Sequence, residues 1–233
     1  MLKEEFYRSS IIINSVTPFW WVVPADSTDG QYDEWFDIIS KTPHAPEFID
    51  LGNISGLNRG DFLISALFQV IKSLGNPFKS IIKLGLLERY IYDDKKNPFV
   101  SNQIKKNIHE GRKGRLDTDA YCIMFDNVYD YYRNHVDDLT ALNVIKTCFY
   151  LKVNPRLSSA PRETDNPEFR EVMTAYSKKW SWDAATIKRV DEFENWDITS
   201  TNKMMNNTKK IILKGYKNIL NALGNELNTG SIN

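Results

Sequence analysis

The sequence is poor in the residues that build metal centres and disulfide frameworks. Its 233 residues include three histidines and only two cysteines, Cys122 and Cys148. Two distant cysteines cannot supply the four ligands of a structural zinc site, and each lies among apolar neighbours, as buried free thiols usually do. This cysteine usage favours a protein of the reducing cytoplasm.

The chain also lacks an excess of charge of either sign and any long apolar run. Its 30 basic residues balance its 30 acidic residues, so no overall charge attracts it to nucleic acid or to anionic lipid. Apolar runs such as Phe19 to Val23 are far shorter than the roughly 18 residues that span a bilayer. We therefore expect no nucleic-acid partner and no membrane insertion.

Common catalytic motifs are missing from the sequence as well. It contains no P-loop, no G-x-G-x-x-G turn and no G-x-S-x-G elbow, and no two histidines have the spacing of metal ligands. Nucleophilic and metallohydrolase mechanisms therefore have no support. What remains is a local charge bias, because residues 61–115 carry eleven Lys or Arg against five Asp or Glu, whereas residues 1–60 carry four against nine.

The patterns along the chain predict a mainly helical protein with one strand near its start. A helix is expected from Leu2 to Val16, followed by a strand from Thr17 to Pro24 that is apolar on both faces. Such a strand needs partners that the sequence does not provide, so we expect an exposed apolar edge and association of the isolated chain. Further helices are predicted at residues 32–40, 102–109, 118–134, 138–153, 166–180, 183–193 and 199–223.

A pair of helices is predicted around a Gly-Asn-Pro break. Leu63, Leu67, Val70 and Leu74 recur at helical spacing, after which Gly75 ends the helix, and Asn76 and Pro77 suit the start of the next one. A tight turn would bring three lysines near one another, Lys72, Lys79 and Lys83. They are either solvated surface groups or ligands of a polyphosphate, and spacing alone does not decide between these roles.

Asp117-Thr118-Asp119 is the sole Asp-x-Asp in the chain. Two carboxylates at this spacing hold Mg²⁺ when they project from one side of a strand. The following residues predict a helix, however, and Asp is favoured as a helix N-cap and in the first turn. We interpret Asp117 and Asp119 as capping residues, and we expect no metal site in this chain.

Several segments together resemble the class I adenylate cyclases, the bacterial enzymes that make cyclic AMP, in order and approximate spacing over nearly the whole chain. They are Glu5-Phe6-Tyr7-Arg8, Trp21 with Val23-Pro24, Phe48 with Asp50-Leu51-Gly52, Phe62, Lys72-Ser73, Pro77-Phe78-Lys79, Leu86-Leu87-Glu88, Leu116-Asp117, Tyr121-Cys122 with Met124, Cys148 through Val153, Leu157-Ser158, Trp182-Asp183 and Asn195-Trp196. The chain departs from the family at Asp61-Phe62-Leu63-Ile64 and Leu67-Phe68, where the family usually has Glu-Tyr-Phe-Gly and a Leu-Trp pair.

The resemblance implies a domain order. Residues 1–24 would be the last helix and strand of an incomplete α/β nucleotidyltransferase domain, residues 25–60 a connector, residues 61–223 a helical domain and residues 224–233 a flexible tail. In the family, a Gly-Ser turn and a Ser-Asp-x-Asp strand that hold Mg²⁺ and the triphosphate precede all the matched segments. Asp117 and Asp119 do not replace them, because they follow no Gly-Ser turn.

The resemblance also implies a function. The chain would be a central fragment of a cyclase that uses ATP and Mg²⁺, would hold no cofactor alone, and would be inactive without the nucleotidyltransferase domain, supplied in cis or as a separate chain. From this arrangement and from their charge, we infer that Lys72, Lys79 and Lys83 face the substrate phosphates, which is not a family assignment, and no catalytic or metal-binding residue is assigned. The alternative is a non-catalytic helical module that mediates an interaction or covers a nucleotide.

Overall fold

The computed structural model describes residues 3–43, 47–54, 59–92, 99–135, 138–163 and 165–230. These residues are mainly helical, which confirms the predicted fold class. The helices are α1 Lys3–Ser9, α2 Asp29–Ser40, α3 Arg59–Lys72, α4 Pro77–Tyr92, α5 Val100–His109, α6 Arg115–Thr118, α7 Ala120–His135, α8 Leu139–Val153, α9 Pro167–Lys179, α10 Ala184–Asp191 and α11 Ile198–Gly230, and the strands are β1 Thr17–Pro18 and β2 Phe48–Ile49.

The predicted helices downstream of residue 100 are confirmed as α5 and α7 to α11, with ends that differ by a few residues except at the end of α11. Helix α11 continues to Gly230, into the segment predicted as a flexible tail, and residues 231–233 of that tail lie outside the described residues. None of the described helices combines the length and the apolar character needed to cross a membrane.

The first predicted helix is shorter than expected. It ends at Ser9 instead of continuing to Val16, because Asn14 and Ser15 adopt left-handed backbone angles, with φ of 48° and 68°. A helix cannot pass through such residues. Ile13 and Val16 on either side of this turn instead exchange backbone hydrogen bonds of 2.8 and 2.9 Å.

The strand predicted from Thr17 to Pro24 is confirmed only at its first two residues. β1 pairs in parallel with β2, with Thr17 opposite Phe48 and Pro18 opposite Ile49. Pro18 has no N–H to extend the ladder, and Phe19–Trp21 turn into a 3₁₀ helix.

The aromatic residues of this 3₁₀ turn are buried. Phe19, Trp20 and Trp21 expose at most 6% of their surface, so the predicted exposed apolar edge was wrong at these residues. The ring of Phe19 packs against those of Tyr32, Phe36 and Phe48, with centroid distances of 4.8 to 5.3 Å.

The chain divides into two compact units, of which the first comprises Met1–Phe62 and Lys95–Ile123. In this unit α1 packs against α5. The buried carboxylate of Glu4 accepts a hydrogen bond from the backbone N–H of Ser101, at 3.3 Å, and lies 3.5 Å from the guanidinium of Arg8. These contacts fix the start of α5 against α1.

The second unit comprises Leu63–Asp94 and Met124–Asn233 and is organised around α4. This helix packs against α8 and α11 and is buried around most of its circumference. Gly85 permits a close approach to α7, because a Cβ atom there would lie only 2.8 Å from a methyl carbon of Val128. Both cysteines are buried and free, as predicted, and burial raises the pKa of the Cys148 thiol to about 12.

Helix α3 was predicted correctly, but its apolar stripe is not its buried side. The buried residues are Phe62, Ala66 and Gln69 of the helix and Ser73 directly after it, two of which are polar. Five large apolar side chains of α3 and the turn after it are exposed, with exposed fractions of 46% to 84%. They are Ile64, Leu67, Phe68, Ile71 and Leu74.

Candidate functional site

The turn between α3 and α4 carries the site predicted from the sequence. Four residues, Ser73 to Asn76, join the two helices, and the backbone N–H groups of Gly75 and Asn76 donate to the carbonyl of Lys72, at 3.2 and 3.0 Å. The side-chain oxygen of Asn76 accepts a hydrogen bond from the backbone N–H of Lys79, at 3.3 Å. The predicted break and its capping residue are therefore confirmed.

The three lysines lie at the end of α3 and on one side of α4. Lys72 is exposed, and its ammonium lies 4.5 Å above the centre of the Phe68 ring. Lys79 is exposed and Lys83, one helical turn further on, is half-buried, so both occupy the side of α4 that the core leaves open. This placement suits a solvated lysine and a phosphate ligand equally.

The Asp-x-Asp pair lies where α6 ends and α7 begins. One oxygen of Asp119 accepts the backbone N–H groups of Tyr121 and Cys122, at 2.9 and 3.0 Å, and its other oxygen lies 3.4 Å from the guanidinium of Arg115. Asp119 is thus the N-cap of α7, as predicted, and Asp117 lies within α6.

The Asp117 and Asp119 pair does not fit Mg²⁺. The carboxylate of Asp119 is already engaged by two backbone N–H groups and a guanidinium, which oppose coordination of a cation. Within the described ranges, no three His, Cys, Asp or Glu side chains form a group that could hold a metal ion.

A buried carboxylate in the second unit was not singled out by the sequence patterns. Glu88 of α4 exposes 1% of its surface and accepts hydrogen bonds from the Tyr132 hydroxyl, at 2.8 Å, and from the Asn218 amide, at 2.6 Å. Burial, together with the Glu88 charge, raises the pKa of Tyr132 well above its usual value. Since these partners come from α7 and α11, no local sequence signal could have found this cluster.

A cavity of about 350 Å³ lies among α8, α10 and α11 in the same unit. Two cations, Arg189 and Lys203, border it together with Trp196, whose indole N–H donates to the carbonyl of Arg189 at 2.6 Å. Hydroxyl and amide groups complete the lining, and they come from Thr140, Asn143, Thr147, Ser200 and Asn207. This composition suits an anionic group.

Comparison with known proteins gives one family. The model of the second domain of class-I adenylate cyclase matches residues 57–232. Among curated proteins, the adenylate cyclase of Yersinia intermedia is 29% identical over 221 residues, that of Escherichia coli O6:H1 is 30% identical over 222 residues, and that of Salmonella typhimurium is 29% identical over 222 residues.

These matches cover 94% of the chain but only 26% of each relative, so the chain spans about a quarter of the length of the curated cyclases it resembles. No solved structure matches the chain.

Proposed function

Because the chain belongs to the class-I adenylate cyclase family, we propose that it forms part of an enzyme that converts ATP into cyclic AMP and pyrophosphate. The observation that carries the proposal is the family match over residues 57–232, extended by relatives named adenylate cyclase along 94% of the chain. We place this enzyme in the cytoplasm, in keeping with the two free, buried cysteines of this chain.

The role we propose for the helical region is to bind the phosphates of ATP. Lys72, Lys79 and Lys83 would stabilise the negative charge that develops on the departing pyrophosphate, as positively charged side chains do in phosphoryl-transfer enzymes. Their position supports the proposal, because all three reach the surface and lysine binds phosphate as a point charge. Mg²⁺ and its carboxylate ligands would belong to the nucleotidyltransferase part of the cyclase.

We expect the isolated chain to make no measurable cyclic AMP from ATP and Mg²⁺. The partner it needs is the nucleotidyltransferase domain, in cis or as a separate chain. Activity of the purified chain that disappears in Asp117→Asn would contradict both the capping interpretation and the need for a partner.

The proposal is tested by co-expressing the chain with a class I nucleotidyltransferase domain in cells that lack cyclic AMP. We expect cyclic AMP to reappear. If it stays absent although both pieces are soluble and associated, the proposed function fails.

The lysines are tested in the reassembled enzyme. Replacing Lys72, Lys79 and Lys83 by Met should lower kcat/KM for ATP by about tenfold or more, which corresponds to roughly 1.4 kcal/mol of lost transition-state stabilisation. The matched control replaces three exposed lysines of α11, Lys209, Lys210 and Lys217, and makes the same change in net charge. Equal kcat/KM values for the two triple variants would return the first three lysines to the role of solvated surface groups.

The exposed apolar residues of α3 favour a second candidate function, that of an interaction module without catalysis. Ile64, Leu67 and Ile71 recur along one side of the helix and expose 46% to 69% of their surface. An apolar stripe of this kind is typical of a surface covered by another protein element. Association of the chain with the nucleotidyltransferase domain, without cyclic AMP formation under any condition, would favour this function.

A further inference from the structure

Lys105 of α5, in the first unit, is a buried cation. It exposes 4% of its surface, and its ammonium lies 4.3 Å above the ring centre of Trp20. Among the described residues, no hydrogen bond or ion pair engages this ammonium. Its one strong protein contact is therefore with an aromatic ring.

The surroundings hold Lys105 in place without neutralising it. Trp20 stacks on Tyr7, with ring centroids 4.6 Å apart, and one turn after Lys105 the ring of His109 donates to the carbonyl of Trp21 at 2.9 Å. The charge of Asp26 acts on Lys105, but no ion pair forms between them. Burial lowers the pKa of Lys105 to about 8, which leaves it mostly protonated at neutral pH.

Two polar groups on this side of α5 have unmet hydrogen-bonding capacity. The hydroxyl of Ser101, four residues before Lys105, is fully enclosed and finds no hydrogen-bond partner in the part of the chain that the structure describes. Lys105 as a whole keeps 4% of its surface in contact with solvent, and this is the route left for a small ligand.

The energetics argue against a purely structural role. Burying a charge without a counter-charge costs several kcal/mol, whereas a contact between a cation and an aromatic ring returns about 1 to 2 kcal/mol. A methionine would cover Trp20 at lower cost. The lysine is explained if a ligand adds negative charge close to the ammonium, since Asp26 acts on it without forming an ion pair.

We propose that Lys105, above Trp20, binds a phosphate group of a nucleoside triphosphate. Lysine suits this task because its compact ammonium acts as a point charge towards phosphate oxygens. The choice of a nucleoside triphosphate, rather than another phosphate-bearing anion, rests on the proposed function.

The experiment measures binding of inorganic tripolyphosphate to the full chain by titration calorimetry. Lys105→Met should weaken binding at least tenfold, whereas Lys106→Met should change it less than twofold. Lys106 is the matched control because it is adjacent, exposed and paired with Glu110 at 3.8 Å. Circular dichroism establishes that both variants are folded, and ATP replaces tripolyphosphate in a second series.

A second measurement needs no variant. Acetylation of each lysine of the unmodified chain is followed by mass spectrometry, and tripolyphosphate should slow the modification of Lys105 at least fivefold while leaving that of Lys106 unchanged. Citrate, a polycarboxylate, should protect neither residue.

Equal binding by the Lys105→Met and Lys106→Met variants would overturn the proposal, as would absence of binding to the unmodified chain. Protection of Lys105 by citrate as strong as that by tripolyphosphate would overturn the assignment to phosphate. Neither assay uses cyclase activity. A failure to form cyclic AMP on co-expression would therefore leave tripolyphosphate binding intact, and a failure of binding would leave the cyclase proposal open to its own test.

Discussion

Helices α3 and α4 are joined by a four-residue turn and use their apolar residues in opposite ways. Helix α4 is buried around most of its circumference and places Lys79 and Lys83 on its open side. Helix α3 buries Ala66 and Gln69 and exposes Leu67 and Ile71. Apolar periodicity therefore predicts that a helix forms, but a neighbouring element decides which side it buries.

The lysines of the chain likewise fall into two kinds, one recognised in the sequence and one recognised only in the structure. Those of α3 and α4 are recognised by their spacing in the sequence and lie at the surface, where a charge costs little. Lys105 has no distinctive spacing and is recognised only by its burial. A costly position is a stronger sign of a binding role than a regular pattern is.

The largest effect expected from this comparison concerns two leucines, one in the buried part of α4 and one in the turn after α3. Leu84 of α4 exposes 1% of its surface and Leu74, directly after α3, exposes 84%. Leu84→Ala should lower the free energy of unfolding by about 3 kcal/mol, because it removes buried surface and leaves a cavity. Leu74→Ala should change it by less than about 0.5 kcal/mol. Urea denaturation measures both, and similar losses would show that the exposed side of α3 is covered in solution.

A smaller loss is expected at the carboxylate in the core around α4. Glu88→Gln should lower the free energy of unfolding by about 2 kcal/mol, because one acceptor oxygen becomes an amide that faces a hydrogen-bond donor. Glu110→Gln is the control, since Glu110 is a surface residue whose side chain is 41% exposed. A double-mutant cycle with Tyr132→Phe should show coupling with Glu88. A loss below about 0.5 kcal/mol would contradict the importance of this cluster.

An effect of similar size is a dependence on pH that separates buried from exposed lysines. The pKa of Lys105 falls from 10.5 to about 8 on folding. Between about pH 8 and pH 10.5 the unfolded chain therefore binds more protons than the folded chain. Because of this difference, the contribution of Lys105 to the free energy of unfolding rises with pH. Relative to the unmodified chain, Lys105→Met should therefore be more stable at pH 7, by about 2 kcal/mol, and this advantage should disappear near pH 10.

The control for this measurement is Lys72→Met, which removes an exposed ammonium. Thermal denaturation across the pH range compares the two variants with the unmodified chain. A constant difference for Lys105→Met from pH 7 to pH 10 would show that its ammonium is hydrated.

Part of the fold followed from local signals. Asn76 and Asp119 were predicted as capping residues because a cap is specified by the residues next to it, and both accept backbone N–H groups as expected. The strand from Thr17 to Pro24 was mostly wrong. Aromatic and β-branched residues indicate burial as well as a strand, and here Phe19–Trp21 are buried in a 3₁₀ turn.

The sequence by itself determined most of the helices, the caps at Asn76 and Asp119 and the resemblance to class-I adenylate cyclases, because periodicity, capping and motif order are properties of neighbouring residues. Only the tertiary structure decided that Leu67 is exposed, that Glu88 is enclosed by Tyr132 and Asn218, and that Lys105 lies buried above Trp20. Burial depends on residues far apart in the chain, and the cost of burying a charge exists only once those residues have come together.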